Sequence, residues 1–433
     1  MAGMTVEEGI NQVFGGGGHV VILGAGASIA STRRNEEVNG KILPSMDNFS
    51  EVLGFEDVLA KIPQNLRAKN FEKLYGNLHK DNPNSELIKE IESRISQYFS
   101  DMKLPDEPTI YDYLVLSLRS KDLIATFNWD PFLYEAWSRN SKFTKDLPLI
   151  IFLHGNVAIG YSKEDQRSGP AGMYMRKDGG YFEPTKLLYP VEHKNYTDDE
   201  YISTGWDVLK TRLNKESGTV RATIFGYGAP VSDVEAVSLL NTAWGTPDER
   251  EMEQFEIIDI SPENELRHRW DGFIHSHHYD ITNNYFGSSL AYNPRRTSES
   301  YFSHYQPLSP SEALRSSNPI PQDFKTLEDL WEWHKPLVEA EMREIAKNQK
   351  TSDNTRFAIW GLILNLKLVL YLKTVNNLKI KCQNPPSLEC CKSKTKKARS
   401  HDLAFLVSPE KVTNHNRTIY FCFLSTILKG AKP

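Results

Sequence analysis

Short apolar runs recur along the first 260 residues of this chain, and each ends in a polar or glycine-rich signature. They occupy residues 19–23, 123–127, 149–153, 222–225 and 255–260. Continuous runs rich in Val, Ile and Phe are typical of strands buried on both faces of a parallel sheet. Helix-like stretches separate them, at residues 85–102, 109–118 and 232–242. This alternation predicts an α/β fold with a doubly wound, mostly parallel, Rossmann-like sheet.

Three segments depart from this alternation. Residues 155–205 are rich in glycine, proline and tyrosine, and they predict an inserted lid or small subdomain because a structureless loop of that length is improbable. Residues 286–350 predict a C-terminal docking or oligomerisation segment, since a helix expected over 327–347 has one apolar face. That face carries Leu330, Trp331, His334, Leu337 and Val338. Residues 351–433 lack any period and predict a basic tail that is either disordered or not native to the fold.

Cysteine and charge are unevenly distributed, which excludes several classes of protein. All four cysteines lie between residues 382 and 422, so the main body has neither a disulfide framework nor a cysteine zinc site. Residues 351–433 contain 14 Lys and Arg against 4 Asp and Glu, leaving 37 against 52 in residues 1–350. So acidic a body argues against direct nucleic-acid binding, which depends on Lys and Arg neutralising phosphates.

The sequence also argues against export and membrane insertion. The first residues lack the charged start, apolar middle and cleavage site of a signal peptide. The apolar run over residues 357–372 spans 16 residues, whereas a membrane-spanning helix needs about 20. We therefore predict a cytoplasmic protein.

The signature GAGAS, residues 24–28, directly follows the first apolar run. Glycines at such a turn let the backbone approach a pyrophosphate, while amides at the start of the next helix donate to it. The third glycine of a dehydrogenase fingerprint is missing, because Ile29 follows Ser28. The alternative is a tight strand-to-helix turn that binds no ligand.

The second and third runs end in NWD and HGN, which place Asn128, Asp130 and His154 at strand ends. An asparagine can both donate and accept, which suits it to hold a ribose hydroxyl and a water. A carboxylate accepts from a carboxamide, and histidine is the commonest general base. Each residue also has a structural interpretation, since Asp130 before Pro131 resembles a helix cap and a lone histidine is usually structural.

The fourth and fifth runs end in GYG and DIS. Gly226 repeats the strand-to-glycine pattern, and Asp233 follows as either a polar site residue or a helix cap. Asp259 is placed to accept from ribose hydroxyls, as acidic residues do in other nucleotide folds, or else to shape the turn before Pro262.

The order GAGAS, NWD, HG, GYG and a final polar strand end resembles the sirtuin-like family over residues 10–285. The resemblance implies that NAD is bound here. The residues implied to bind it are Gly24, Ala25, Gly26, Ser28, Gly226 and Asp259. It further implies that Asn128 holds the nicotinamide ribose and the attacking water, that Asp130 holds the nicotinamide amide, and that His154 is the catalytic base.

Two departures from the family's pattern indicate which sirtuin-like proteins the chain resembles. No cysteine lies between His154 and Cys382, whereas protein-deacetylating sirtuins carry a four-cysteine zinc module there. The segment after Ser28 also lacks the family's Pro-Asp-Phe-Arg cofactor loop. The chain therefore resembles the zinc-free sirtuin-like domains of bacterial anti-phage defence, which degrade NAD+ when triggered.

That resemblance implies an NAD+ glycohydrolase that yields nicotinamide and ADP-ribose, with NAD as its substrate and no zinc. It also implies a homo-oligomer and a HerA-type ATPase or helicase as partner. Two alternatives stay open, namely a non-catalytic sensor of NAD or ADP-ribose and an ADP-ribosyltransferase that uses the same pocket.

Overall fold

The computed structural model describes nine stretches of the chain. They are residues 5–13, 17–32, 41–173, 176–191, 194–229, 233–250, 254–275, 279–302 and 317–348. The basic tail, its cysteines and the apolar run at 357–372 lie outside the described residues.

Within the described stretches, eight strands form one six-stranded and one two-stranded sheet. The strands are β1 (Gly18–Leu23), β2 (Leu123–Thr126), β3 (Leu149–Phe152), β4 (Ile159–Ser162), β5 (Arg167–Pro170), β6 (Thr219–Phe225), β7 (Gln254–Ile258) and β8 (Tyr279–Thr282). The large sheet has the order β3-β2-β1-β6-β7-β8, and every neighbouring pair in it is parallel. Renumbered within this sheet, the order is 3-2-1-4-5-6, as in doubly wound dinucleotide-binding folds. The predicted fold class is confirmed.

Helices flank the sheet on both faces. The helices are α1 (Val6–Asn11), α2 (Ala25–Ser31), α3 (Phe49–Val52), α4 (Glu56–Lys61), α5 (Phe71–Asp81), α6 (Glu86–Ser100), α7 (Ile110–Leu116), α8 (Phe132–Asn140), α9 (Glu200–Leu213), α10 (Val234–Trp244), α11 (Glu263–Arg269), α12 (Ser289–Tyr292), α13 (Thr297–Ser300) and α14 (residues 327–348). Side chains alternate across strand β1, so Val21 and Leu23 enter one hydrophobic core while Val20 and Ile22 enter the other.

The inserted segment predicted at 155–205 contains the antiparallel pair β4 and β5, and helix α9 begins near its end. In the C-terminal segment, the apolar face of α14 is covered by the chain's own body. Leu330 and His334 are fully buried, and the Trp331 indole donates to Asn140 Oδ1 at 2.7 Å. The prediction of an oligomer therefore draws no support from this face.

Within the described stretches, no helix is both long enough and apolar enough to cross a membrane. The same stretches contain no group of three or more His, Cys, Asp or Glu side chains arranged to hold a metal ion.

Candidate functional site

A cavity of about 300 Å³ lies at the carboxyl edge of the sheet. It sits where the strand order reverses between β1 and β6, which is where open α/β sheets bind their ligands. Seven of the nine residues assigned to the NAD site from the sequence line it, namely Gly24, Ala25, Ser28, Asn128, Asp130, His154 and Gly226. The ends of four strands therefore converge on one cavity.

The two glycine loops at this edge pack backbone against backbone. The Gly26 amide donates to the Gly226 carbonyl at 2.9 Å, and a Cβ placed on Gly24 would lie 2.5 Å from the same oxygen. Gly226 has a φ of +61°, which favours glycine, and a Cβ there would lie 2.3 Å from the Ala27 nitrogen. The glycines are thus required by loop packing, and the Gly26 amide is already committed to a protein partner.

Four side chains form a buried hydrogen-bonded cluster, and three of them line the cavity. Ser28 Oγ donates to Asp130 Oδ2 at 2.7 Å. Asn128 Nδ2 donates to the Gly24 carbonyl and to Ser28 Oγ, both at 2.8 Å. The Tyr111 hydroxyl on α7 lies 2.8 Å from Ser28 Oγ and 3.2 Å from Asn128 Nδ2. Residues from α2, α7 and the loop after β2 therefore hold each other in place.

Asp130 also contacts the backbone at the start of α8, although the N-cap residue of that helix is Pro131. Asp130 Oδ1 accepts from the Phe132 amide at 3.2 Å, so the carboxylate serves both the cluster and the start of α8. Burial raises the pKa of Asp130 to about 6, although the hydrogen bond from Ser28 acts in the opposite direction. Asn156, the last residue of HGN, braces this loop by donating to the Asp130 carbonyl at 2.7 Å.

His154 lies across the cavity in an aromatic environment. Its ring meets Phe127 edge to face and is nearly parallel to Tyr196, whose hydroxyl is 3.3 Å from His154 Nε2. Burial lowers the pKa of His154 to about 3, and the nearby charge of Lys194 adds to the effect. The imidazole is therefore neutral at physiological pH.

A buried ion pair borders His154 and was not assigned from the sequence. Lys194 Nζ contacts Asp233 Oδ1, and the Tyr227 hydroxyl donates to Asp233 Oδ2 at 3.0 Å. Lys194 and Asp233 both line the cavity. Although Asp233 precedes α10, its side chain makes no capping hydrogen bond, so the capping alternative does not hold.

Two of the proposed binding residues do not line the cavity. Gly26 lies beneath the loop contact just described. Asp259 follows β7, and its Oδ1 accepts from the Ser261 amide at 2.8 Å, which is the turn role considered as its alternative. Neither Gly26 nor Asp259 is therefore in contact with the cavity.

The chain matches no family model, and no curated protein matches its sequence. Among solved structures it is similar to a mutant Sir2 homologue in complex with ADP-ribose, with a TM-score of 0.30, 11% identity, and coverage of 63% of this chain and 96% of that chain. A second such mutant complex gives 0.29 and 12%, covering 59% and 86%. A Sir2 homologue bound to NAD gives 0.28 and 12%, covering 65% and 90%.

The arrangement suits a ligand that has hydroxyl groups and a centre of developing positive charge. Asn128 offers an amide at the cavity wall, Asp130 offers a carboxylate, and His154 offers a neutral imidazole. Among the described residues, the lining contains three carboxylates, those of Glu72, Asp130 and Asp233. It contains one Lys or Arg side chain, that of Lys194. Such a lining favours a cationic centre over a neutral one.

Proposed function

We propose that this chain is an NAD+ glycohydrolase that cleaves the bond between nicotinamide and ribose. The observation that carries the proposal is the convergence of Ser28, Asn128, Asp130 and His154 on one cavity at the switch point of the sheet. The ordered motifs that carry these residues support the same activity, because they resemble those of sirtuin-like NAD-degrading domains.

The chemistry needs orientation more than a strong nucleophile. The nicotinamide leaves as a neutral molecule with the electron pair of the glycosidic bond, while positive charge develops on the ribose. Water then adds to the ribose carbon and loses a proton to solvent, giving nicotinamide, ADP-ribose and H+. Holding the reacting groups in place and excluding bulk water supply much of the rate enhancement in such a site.

Each residue has a role that its surroundings permit. Asp130 accepts from the nicotinamide carboxamide, and its negative charge stabilises the cationic transition state. Asn128 accepts from a ribose hydroxyl or from the attacking water. His154, neutral because of burial, polarises a ribose hydroxyl or that water by accepting its hydrogen bond.

The proposal is tested by incubating the purified full-length chain with NAD+, alone and with candidate partners, and separating the products by chromatography. We expect nicotinamide and ADP-ribose in equal amounts. ADP-ribose attached to a protein would show a transferase instead. Binding of ADP-ribose without any cleavage would favour the sensor, and failure to bind either NAD+ or ADP-ribose would refute an NAD site altogether.

The biological setting follows from the sequence resemblance. Constitutive loss of NAD+ would harm the host cell, so we propose a triggered, cytoplasmic activity in anti-phage defence. The proposed form is a homo-oligomer with a HerA-type ATPase as partner. The proposed domain boundaries are 10–285 for the catalytic domain and 286–350 for the C-terminal segment.

A further inference from the structure

We propose that Tyr111 is a positioning residue whose hydroxyl holds the Ser28 hydroxyl as a donor to the Asp130 carboxylate. The role of this alignment in turnover rests on the proposed function, whereas the alignment itself does not. Tyr111 belongs to none of the sequence motifs and lies on α7, outside the loops that end the strands.

The direction of each hydrogen bond follows from the number of hydrogens available. An ionised carboxylate only accepts, so the single hydroxyl hydrogen of Ser28 points to Asp130 Oδ2. Ser28 Oγ then has only lone pairs left for its other neighbours. The 2.8 Å contact between Ser28 and Tyr111 therefore has Tyr111 as the donor.

Asn128 completes the same alignment. The Gly24 carbonyl can only accept, so it fixes Nδ2 of Asn128 toward the protein interior. The second hydrogen of Nδ2 faces Ser28 Oγ and the Tyr111 hydroxyl. Among the described residues Asn128 Oδ1 has no hydrogen-bond partner, and Asn128 lines the cavity, so this oxygen is the acceptor available to a ligand.

Tyr111 itself is held rigidly enough to act in this way. Its side chain is fully buried, and its backbone amide donates to Ser31 Oγ at 3.1 Å. Both ends of the residue thus contact serines one turn apart on α2. Without the hydroxyl, Ser28 Oγ would lose one donor, and its bond to Asp130 would weaken because aligned hydrogen bonds strengthen one another.

The test compares Tyr111→Phe with Tyr113→Phe, in the full-length protein. Tyr113 lies on the same helix and is also buried, but it packs against Phe286 and Phe324 away from the cavity. The first readout is the titration of the Asp130 carboxyl carbon by NMR in the ligand-free protein, assigned with Asp130→Asn. Glu135 on α8 also influences this carboxyl and is unchanged in both variants.

We expect Tyr111→Phe to raise the titration midpoint of Asp130 by at least about half a unit, since a hydrogen bond to the charged form is weakened. It should also lower kcat for NAD+ hydrolysis roughly tenfold, the loss expected for one hydrogen bond, with a smaller change in KM. Tyr113→Phe should leave both quantities unchanged.

Three results separate the possible failures. An unchanged Asp130 midpoint in Tyr111→Phe would overturn the alignment, whatever happens to activity. A shifted midpoint with unchanged kcat would overturn the positioning role. A shifted Asp130 midpoint in Tyr111→Phe, together with a wild-type protein that never cleaves NAD+, would support the alignment while refuting the proposed function.

Discussion

Burial moves the pKa values of Asp130 and His154 in opposite directions. It raises the pKa of Asp130 to about 6 and lowers that of His154 to about 3, because desolvation disfavours the charged form of each group. Near pH 7 the site therefore presents a carboxylate and a neutral imidazole. We therefore expect His154 to act through a hydrogen bond that it accepts, since an imidazole of such low basicity holds a proton only weakly.

These shifts predict the pH dependence of NAD+ hydrolysis. Asp130 must be ionised to stabilise positive charge, so kcat/KM should rise as pH increases through about 6 and then level off. His154 should add no inflection between pH 5 and 8, because its pKa lies well below that range. The measurement is a pH profile of initial rates, with Asp130→Asn as the control.

In Asp130→Asn the rise of kcat/KM near pH 6 should disappear, and most of the activity should be lost. A rise that persists near pH 6.5 in this variant would mean that His154 titrates there, contrary to the burial described for it.

At the scale of elements, the contact between the two glycine loops determines the shape of the cavity. Gly226→Ala would place a methyl group 2.3 Å from the Ala27 nitrogen at a positive φ, so it should lower the free energy of unfolding by about 2 kcal/mol or more. Gly228→Ala is the matched control in the same loop, since a Cβ there meets nothing within 4 Å and φ is unremarkable for an alanine. Denaturant unfolding of the two variants should differ clearly, and equal stabilities would contradict the loop contact.

Most of the sheet could be predicted from the sequence, because five of its strands are continuous apolar runs. The sixth, β8, is a short edge strand whose side chains are half-buried or exposed, so it has no such run. The helices between residues 49 and 81 were not predicted either. Their apolar side chains, such as Phe49 and Phe71, become a core only through tertiary packing against Phe99 and others.

The sequence predicted those residues of the candidate site that directly follow the strands, and it missed those that lie elsewhere. Strand ends in a parallel sheet meet at one edge, so Ser28, Asn128 and His154 could be placed together from their positions alone. Tyr111 lies in the first turn of α7, and Lys194 lies in the inserted segment; no motif marks either residue. Their contacts with the site depend on how α7 and the insertion pack, which a single sequence does not reveal.

At the scale of the whole molecule, buried ion pairs tie the C-terminal helix to the loop between α12 and α13. Arg295 Nη2 and Arg296 Nη1 each contact the Glu341 carboxylate of α14 at 2.5 Å. Arg295 Nη2 also donates to the Asp146 carbonyl at 2.9 Å. Because these groups are buried, removing the Glu341 charge leaves Arg296 without this partner and Arg295 with only the 3.4 Å contact to the Asp146 carboxylate.

Glu341→Gln should therefore lower the free energy of unfolding by about 3–5 kcal/mol, because it leaves two buried guanidinium groups with a neutral partner. Glu339→Gln, an exposed position on the same helix, should change it by less than about 0.5 kcal/mol. Chemical denaturation of the full-length variants provides the comparison. Similar stabilities would show that α14 is not anchored in this way.

We propose that His154 takes part in hydrolysis of NAD+, and a second buried histidine provides the matched control. His334 on α14 is also fully buried, and burial lowers its pKa to about 3 as well, but its Nδ1 contacts the Leu330 carbonyl.

The most direct measurement is the NAD+ turnover of His154→Ala and His334→Ala, normalised to folded protein, together with their melting temperatures. We predict that His154→Ala lowers turnover by roughly 10²- to 10⁴-fold with little change in melting temperature. His334→Ala should lower the melting temperature and leave turnover per folded molecule intact. Wild-type turnover in a folded, NAD-binding His154→Ala protein would contradict the account.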